Sequence, residues 1–293
     1  DGEIVDPLPL VVPMTNLNLV QQLCAMMDSL IPAGDEVTEH ELLEGLFIYS
    51  LVWSVGAGVL GPSRQTFDEF LRDVAEIGLP AGLMYDYFFD LEARKWVKWS
   101  SIVPDYAEPV PFEFAKILVP TTDSVLYTAL LSCQLDILRP VLFVGESGTA
   151  KTVTIQNKLA ALPVEKYNVM NINFSSRTTA RDTQANIEDG VDKRSGRNYG
   201  PPVGKKLVVF VDDLNMPKVD IYGTQQPLAL LLFLIGHGYM YSRGKDLEQR
   251  TYKDLAFVSA MGPPGGGRNS VDPRFVSLYS VFNLTPPTDD VLK

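Results

Sequence analysis

The sequence of 293 residues is poor in the side chains that crosslink a chain or hold zinc. Its two cysteines, Cys24 and Cys133, lie far apart in apolar stretches. This spacing favours two buried structural thiols over a disulfide and agrees with a reducing compartment. The two histidines, His40 and His237, are too few to suggest a zinc centre.

Positive charge is also scarce. Lysine and arginine number 25 against 36 aspartates and glutamates, and the net charge is −11. Because a nucleic-acid-binding surface needs concentrated basic residues, we expect no nucleic-acid partner. The basic and aromatic segment 94–99 lies beside Asp86, Asp90 and Glu92. That context favours a short strand or hairpin whose aromatic side chains pack inward.

The sequence lacks an apolar run long enough to predict a membrane span, so no membrane partner is expected. The longest run, 42–60, is interrupted by Glu44 and several glycines, which is typical of a buried helix followed by a turn. The chain begins at Asp1-Gly2-Glu3 without a signal peptide. We expect it to be a piece of a longer protein.

At 293 residues the chain is long enough for two compact units and a substantial core, and its 46% hydrophobic residues are typical of a globular protein. Residues 1–80 have helical apolar spacing, and residues 81–116 are aromatic and irregular, which predicts a joint. Residues 117–293 predict an α/β fold, a mainly parallel sheet with helices on both faces. The predicted strands are 141–144, 169–174, 207–211 and 255–260, and the predicted helices are 124–138, 152–161, 179–191 and 226–236.

Residues 145–152 read Gly-Glu-Ser-Gly-Thr-Ala-Lys-Thr, between an apolar strand and a helix. This pattern is typical of a phosphate-binding P-loop, in which backbone N–H groups and the helix start hold phosphate oxygens. Lys151 reaches the outer phosphates and the Thr152 hydroxyl can bind Mg²⁺. The candidate nucleotide contacts in this segment are Glu146, Ser147, Gly148, Thr149, Ala150, Lys151, Thr152 and Val153.

Ala150 departs from the P-loop pattern, because the consensus has its last glycine at this position. In a right-handed helical backbone the methyl group costs little, whereas a positive φ would penalise it. We expect the right-handed conformation.

A second acidic strand end supports the P-loop. The apolar run 207–211 is typical of a parallel strand buried on both faces, and it ends in Asp212-Asp213. Asp212 is the candidate carboxylate for Mg²⁺, and Asp213 is placed to polarise an attacking water. The alternative is a buried strand that merely ends in solvated aspartates.

Three loops remain for interpretation. The glycine-rich segment 262–269 follows the last predicted strand, so we expect it to border the nucleotide. Arg274 follows on a turn, where it is either a salt-bridged surface residue or an arginine that projects into a neighbouring nucleotide site. The basic segment 193–202 is either an exposed hairpin or a surface that touches a neighbouring domain.

Together these motifs resemble one family closely, the axonemal dynein heavy chains. Segments 145–152, 210–217, 222–227 and 260–269 are similar to the third AAA+ module of that family. Segment 117–123 is similar to the stretch that borders the adenine, which implies contacts from Leu118, Val119 and Pro120. Segment 47–56 resembles the helical small subdomain that closes the second module.

The resemblance implies three parts. Residues 1–80 are the helical lid of the second module, 81–116 are the joint, and 117–293 are the P-loop AAA+ large subdomain of the third module. It also implies ATP or ADP with Mg²⁺ at a regulatory site of a minus-end-directed microtubule motor in the cytoplasm, at the axoneme of a cilium or flagellum. The implied partners are the second and fourth modules of the same heavy chain, and, through the full-length protein, microtubules and the intermediate and light chains.

Two departures from the family pattern weaken the case for hydrolysis. Most AAA+ modules have Glu where this chain has Asp213, whose carboxylate stands roughly 1.5 Å further back. Gly262 occupies the place of a polar sensor asparagine, for which Asn269 is a candidate substitute. We expect Lys151, Asp213 and Arg274 to be the catalytic set, with Arg274 serving the nucleotide of the second module.

Three functions stay open. The module hydrolyses ATP during the motor cycle, or it holds a locked nucleotide as a structural brace, or it is an unrelated P-loop kinase or helicase. Asp213 and Gly262 favour slow turnover in this fragment. Neither a phosphate-acceptor pocket nor a basic nucleic-acid channel is visible in the sequence.

Overall fold

The computed structural model describes residues 8–31, 39–106, 108 and 119–286. The first unit is helical, as predicted. Its helices are α1 (Asn16–Leu30), α2 (His40–Val52) and α3 (Arg64–Val74). Helix α1 begins after Thr15, whose side chain forms a reciprocal capping box with Asn18.

The aromatic segment forms the expected hairpin. Strands β1 (Tyr87–Asp90) and β2 (Lys95–Lys98) are antiparallel, with short 3₁₀ helices before them (Met84–Asp86) and after them (Trp99–Ile102). Ring centroids lie 4.6 Å apart for Phe88 and Trp99, and 5.0 Å apart for Phe89 and Trp96. These aromatic side chains pack against the helical core, so the hairpin extends the first unit.

The second unit is built on a five-stranded parallel sheet. Its strands are β3 (Val141–Gly145), β4 (Tyr167–Asn173), β7 (Lys206–Asp212), β10 (Leu255–Met261) and β11 (Ser280–Leu284), in the spatial order β11-β3-β10-β7-β4. The four predicted strands are confirmed, with ends that shift by one or two residues. Strand β11 was not predicted, although Val281 and Phe282 are a short apolar signal.

Helices cover both faces of this sheet. They are α4 (Thr122–Asp136), α5 (Lys151–Ala160), α6 (Ala180–Asp189), α7 (Gln226–His237) and the short α8 (Pro273–Val276). Alternate residues of a strand point to opposite faces. Accordingly, Phe143 and Phe210 pack with α4 and α5, whereas Val144 and Val209 pack with α7. The α/β prediction is therefore confirmed.

A smaller four-stranded sheet flanks the main one. It contains β5 (Asp192–Ser195), β6 (Asn198–Gly200), β8 (Tyr239–Tyr241) and β9 (Gln249–Tyr252), in the order β5-β6-β9-β8. The basic segment 193–202 thus contains a hairpin, one of the two alternatives, and its contact with a neighbouring domain stays a prediction. It does not stand alone, because β6 pairs with β9 in parallel. No local pattern in the sequence predicts this pairing, because the two strands are far apart in the chain.

Residues of the helical unit form hydrogen bonds with the outer edge of β11. The Gln22 amide nitrogen donates to the Val281 carbonyl at 3.1 Å, and the Val281 N–H donates to Gln22 Oε1 at 3.0 Å. Gln22 is fully buried. The Asn283 N–H donates to the Ala57 carbonyl at 2.9 Å. An edge strand with unpaired N–H and C=O groups is a template for aggregation. These bonds give partners to such groups of β11, and they also join the two units.

The expectation of two buried thiols is wrong for Cys24, which is exposed because it lies on the outer side of α1. Cys133 is half-buried, and burial raises the pKa of its thiol. Both cysteines are free. None of the described helices combines the length and the apolar character that crossing a membrane requires.

Gln22 supplies the first test. We expect Gln22→Ala to lower the free energy of unfolding by about 2 to 4 kcal/mol, because it leaves the buried N–H and C=O of Val281 without partners. Urea denaturation followed by circular dichroism measures the change. Gln21→Ala, on the exposed side of the same helix, is the control and should shift stability by less than about 0.5 kcal/mol. Equal effects of the two substitutions would contradict this account of the edge.

Candidate functional site

The two predicted motifs meet at one edge of the sheet. Strands β3 and β7 are both parallel to β10, which lies between them, so the loops that follow them emerge on the same side. The Thr152 hydroxyl donates to Asp212 Oδ2 at 2.7 Å. The two candidate Mg²⁺ ligands, 60 residues apart in sequence, are therefore in direct contact.

Lys151 lies in the first turn of α5 and folds back over the loop. Its ammonium donates to the carbonyls of Gly145 at 2.8 Å and Glu146 at 2.6 Å, and to the Thr149 hydroxyl at 3.1 Å. Within the described part of the chain, no carboxylate lies at ion-pair distance from this ammonium. Its charge is thus held by neutral oxygens at a helix N-terminus, which leaves it available to an anion.

The electrostatics of Lys151 favour an anionic ligand. Burial, followed by the nearby positive charge of Arg268, lowers the pKa of the Lys151 ammonium, and the carboxylates of Asp212, Asp213 and Glu146 oppose the shift. A phosphate group placed between the two cations would remove the repulsion between them.

The expectation for Ala150 is wrong. Its backbone has φ 55° and ψ 19°, the left-handed conformation, at the N-cap of α5. The chain turns here from the loop into the helix, and it does so in the conformation that glycine adopts most easily. The methyl group of Ala150 therefore costs about 1 to 2 kcal/mol at this position.

Asp213 also has a left-handed backbone, with φ 50°. Its N–H donates to Asp212 Oδ1 at 3.0 Å, so the turn holds the metal-ligand candidate in place. The Asp213 carboxylate lies 3.7 Å from a guanidinium nitrogen of Arg268, and its side chain is about half exposed. Left-handed non-glycine residues are costly and often occur at functional sites.

Arg268 is the residue of this site that sequence reasoning missed. The glycine-rich loop 262–269 was expected to border the nucleotide, and its arginine was not given a role. The signal that could have identified it is a single cation within a glycine-rich loop at a strand end.

Asn269 does not act as a free sensor. Its amide nitrogen donates to the carbonyls of Pro217 at 2.9 Å and Asn215 at 3.3 Å. In return, the amide nitrogen of the buried Asn215 donates to the Gly262 carbonyl at 2.9 Å and the Asn269 carbonyl at 3.2 Å. Asn269 therefore anchors the glycine-rich loop to the loop after β7.

The remaining residues that were predicted to contact the nucleotide lie in several parts of the second unit. Ser147, Gly148 and Val153 are exposed on the loop and the first turn of α5. Val119 and Pro120 lie just before α4, which packs against α5, and Leu118 lies outside the described residues.

Arg274 is exposed on α8. Its backbone N–H donates to the Asp272 carboxylate at 2.8 Å, and its carbonyl accepts from Ser277 at 2.8 Å. In the described ranges its side chain has no ion-pair partner, so the salt-bridged interpretation finds no support there.

The donor set fits a magnesium nucleotide. Mg²⁺ uses one or two carboxylates together with phosphate oxygens and water, which Asp212 and Thr152 can complement. The described residues contain no cluster of three or more His, Cys, Asp or Glu side chains that could hold a metal ion by themselves. Lys151 and the N–H groups at the start of α5 would face the phosphates.

Two families match the chain. The family described as P-loop containing dynein motor region matches residues 106–287, and the family described as dynein heavy chain AAA lid domain matches residues 4–101.

Individual relatives agree with these matches. Dynein axonemal heavy chain 10 of Homo sapiens is 46% identical over 307 residues, which cover 100% of this chain and 7% of the human protein. Dynein-1-alpha heavy chain, flagellar inner arm I1 complex, of Chlamydomonas reinhardtii is 46% identical over 297 residues, which cover 96% of this chain and 6% of the Chlamydomonas protein. The chain thus spans less than a tenth of the length of these relatives.

The strain at residue 150 gives a second test. We expect Ala150→Gly to raise the free energy of unfolding by about 0.5 to 1 kcal/mol, because relief of the left-handed strain exceeds the added entropy of the unfolded chain. Thermal unfolding measures the shift. Ala185→Gly, at an exposed position in the interior of α6, is the control and should lower stability by about 1 kcal/mol. Loss of stability in both variants would show that residue 150 is not strained.

Proposed function

The chain belongs to the dynein heavy chains, whose P-loop containing motor region it matches over residues 106–287, and from this premise we propose that the sheet edge around Lys151 binds ATP or ADP with Mg²⁺. The observation that carries the proposal is the hydrogen bond between Thr152 and Asp212 at 2.7 Å. It places the two candidate Mg²⁺ ligands, one on the helix after the P-loop and one at the acidic strand end, beside each other.

Each residue then has a defined task. The N–H groups of 146–152 and the Lys151 ammonium bind the phosphates, while Thr152 and Asp212 hold Mg²⁺. The metal supplies positive charge that neutralises the phosphate oxygens. The proposed adenine contacts are Val119 and Pro120, together with Leu118, which lies outside the described residues.

We propose that turnover at this site is slow. Asp213 is one methylene shorter than the glutamate of most AAA+ modules, so its carboxylate stands roughly 1.5 Å further back from the attacking water. A misplaced general base commonly forfeits about 10² to 10⁴ in rate. Slow turnover suits a regulatory site and also suits a nucleotide that braces the ring, so both versions remain proposals.

The wider role follows from the family. We propose that residues 1–80 are the lid of the second AAA+ module, 81–116 the joint, and 117–293 the large subdomain of the third module. The intact heavy chain would be an ATP-driven, minus-end-directed microtubule motor in the axoneme of cilia or flagella, with intermediate and light chains. Arg274, exposed on α8, would contact the nucleotide of the second module, and an arginine of the fourth would complete the Lys151 site.

Nucleotide binding is tested by Lys151→Ala. We expect the affinity for Mg-ADP to fall by about tenfold to a hundredfold, because one charge-assisted contact to phosphate is lost. Isothermal titration calorimetry measures both proteins. The control is Lys158→Ala, which removes a lysine from the far end of the same helix and should leave the affinity unchanged. Equal affinities for all three proteins, or no binding by the wild type, would refute the proposed site.

Slow turnover is tested by Asp213→Glu. We expect the single-turnover rate of phosphate release from ATP to rise about tenfold or more, because the longer side chain brings the carboxylate forward to the attacking water. The control is Asp189→Glu, an exposed substitution at the end of α6. An unchanged rate in a variant that still binds ATP would favour the locked brace.

A further inference from the structure

Arg268 is held in place by an unusually constrained loop. The N–H of Arg268 donates to the Gly265 carbonyl, and the N–H of Gly265 donates to the Arg268 carbonyl, both at 3.0 Å. Gly265, Gly266 and Gly267 all have positive φ, which is how four residues close so tight a turn. With Asn269 anchored beside it, this turn directs Arg268 back toward the sheet edge.

The side chain of Arg268 fills the space that a side chain at position 262 would need. A Cβ atom built on Gly262 would lie 2.7 Å from Arg268 Nε, 2.8 Å from Cδ and 2.9 Å from Cζ. Gly262 directly follows β10, the strand between β3 and β7. Arg268 can therefore occupy this position only because residue 262 has no side chain.

The polar atoms of Arg268 are incompletely satisfied. Its Nη2 lies 3.7 Å from Asp213 Oδ1, a distance and exposure at which an ion pair contributes little. Its Nε is buried and has no hydrogen-bond partner within the described residues. A buried donor of a charged group without a partner is costly, so the guanidinium has capacity for a further acceptor.

The charges around Arg268 indicate an anion. Burial and the positive charge of Arg268 lower the pKa of the Lys151 ammonium, and Arg268 Nη2 lies 3.7 Å from the carboxylate of Asp213, the residue that follows Asp212. Asp212 itself is engaged by Thr152 and by the Asp213 N–H. A cation from the P-loop and a cation from the loop after the neighbouring strand suit a multiply charged phosphate, and guanidinium binds phosphate oxygens in a planar, two-pronged geometry.

We propose that Arg268 binds the terminal phosphate of a nucleoside triphosphate at this site and exchanges Asp213 for that phosphate when the triphosphate binds. The inference rests on the proposed nucleotide site and goes one step further, since it assigns the preference for triphosphate over diphosphate to a residue in the same chain. With a diphosphate, Arg268 stays on Asp213. With a triphosphate, the Asp213 carboxylate is released toward the attacking water.

The test compares Mg-ADP with a non-hydrolysable Mg-ATP analogue, AMPPNP, by isothermal titration calorimetry. We expect Arg268→Ala to weaken AMPPNP binding by about tenfold to a hundredfold, the size of a lost charge-assisted contact. ADP affinity should change by less than about threefold, because its phosphates stay on the P-loop. Arg268→Lys should restore part of the difference, since it keeps the charge without the planar geometry. The control is Arg197→Ala in the exposed hairpin, which should alter neither affinity.

A second variant approaches the same contact without removing the arginine. Gly262→Ala places a methyl group within 3 Å of Arg268, so it should displace the guanidinium and weaken AMPPNP selectively. The double variant should be no worse than Arg268→Ala alone, because both substitutions remove one interaction. This variant keeps the test decisive if Arg268→Ala folds poorly.

The outcomes separate the two proposals. A wild-type protein that binds neither nucleotide would overturn the nucleotide site and the assignment of Arg268 with it. A wild-type protein that binds both, together with an unchanged ratio of affinities in Arg268→Ala and Gly262→Ala, would overturn the assignment of Arg268 alone.

Discussion

The hydrogen bond between the Thr152 hydroxyl and the Asp212 carboxylate is the contact on which the site depends. It exists because β3 and β7 run parallel on either side of β10, so that both strands deliver their following residues to the same edge. If one strand were reversed, the P-loop and the acidic turn would lie at opposite ends of the sheet. The parallel direction of the buried apolar strands thus determines where the polar groups of the site, Thr152 and Asp212, lie.

The same edge concentrates backbone strain and unbalanced charge. Ala150 and Asp213 both adopt left-handed conformations, the glycine-rich loop places Arg268 3.7 Å from Asp213, and burial and the charge of Arg268 lower the pKa of Lys151. Each feature is unfavourable alone, and the packed sheet beneath supplies the stability that tolerates it. A ligand with several negative charges would relieve much of the electrostatic part, which is why these features together indicate a phosphate site.

The helical unit shares a hydrophobic core with the main sheet and completes the hydrogen bonding of its edge strand. Its core is continuous with the face of the sheet that carries Phe143 and Phe210, and Gln22 completes the hydrogen bonding of β11. Strand β11 pairs with β3, the strand that leads into the P-loop. One strand therefore separates Gln22 of the helical unit from the strand that leads into the P-loop.

The sequence by itself determined the strand, loop and helix around Lys151, the acidic end of β7 and the alternation that builds the α/β unit, because these depend on local periodicity and on residue chemistry at fixed spacing. Only the tertiary structure decided the left-handed backbone at Ala150, the place of Arg268 against Gly262, and the pairing of β11 with Gln22. These features join residues that are distant in sequence, or follow from how the chain must turn at a crowded sheet edge. Local patterns do not encode such contacts, since the partner that imposes them lies elsewhere in the chain.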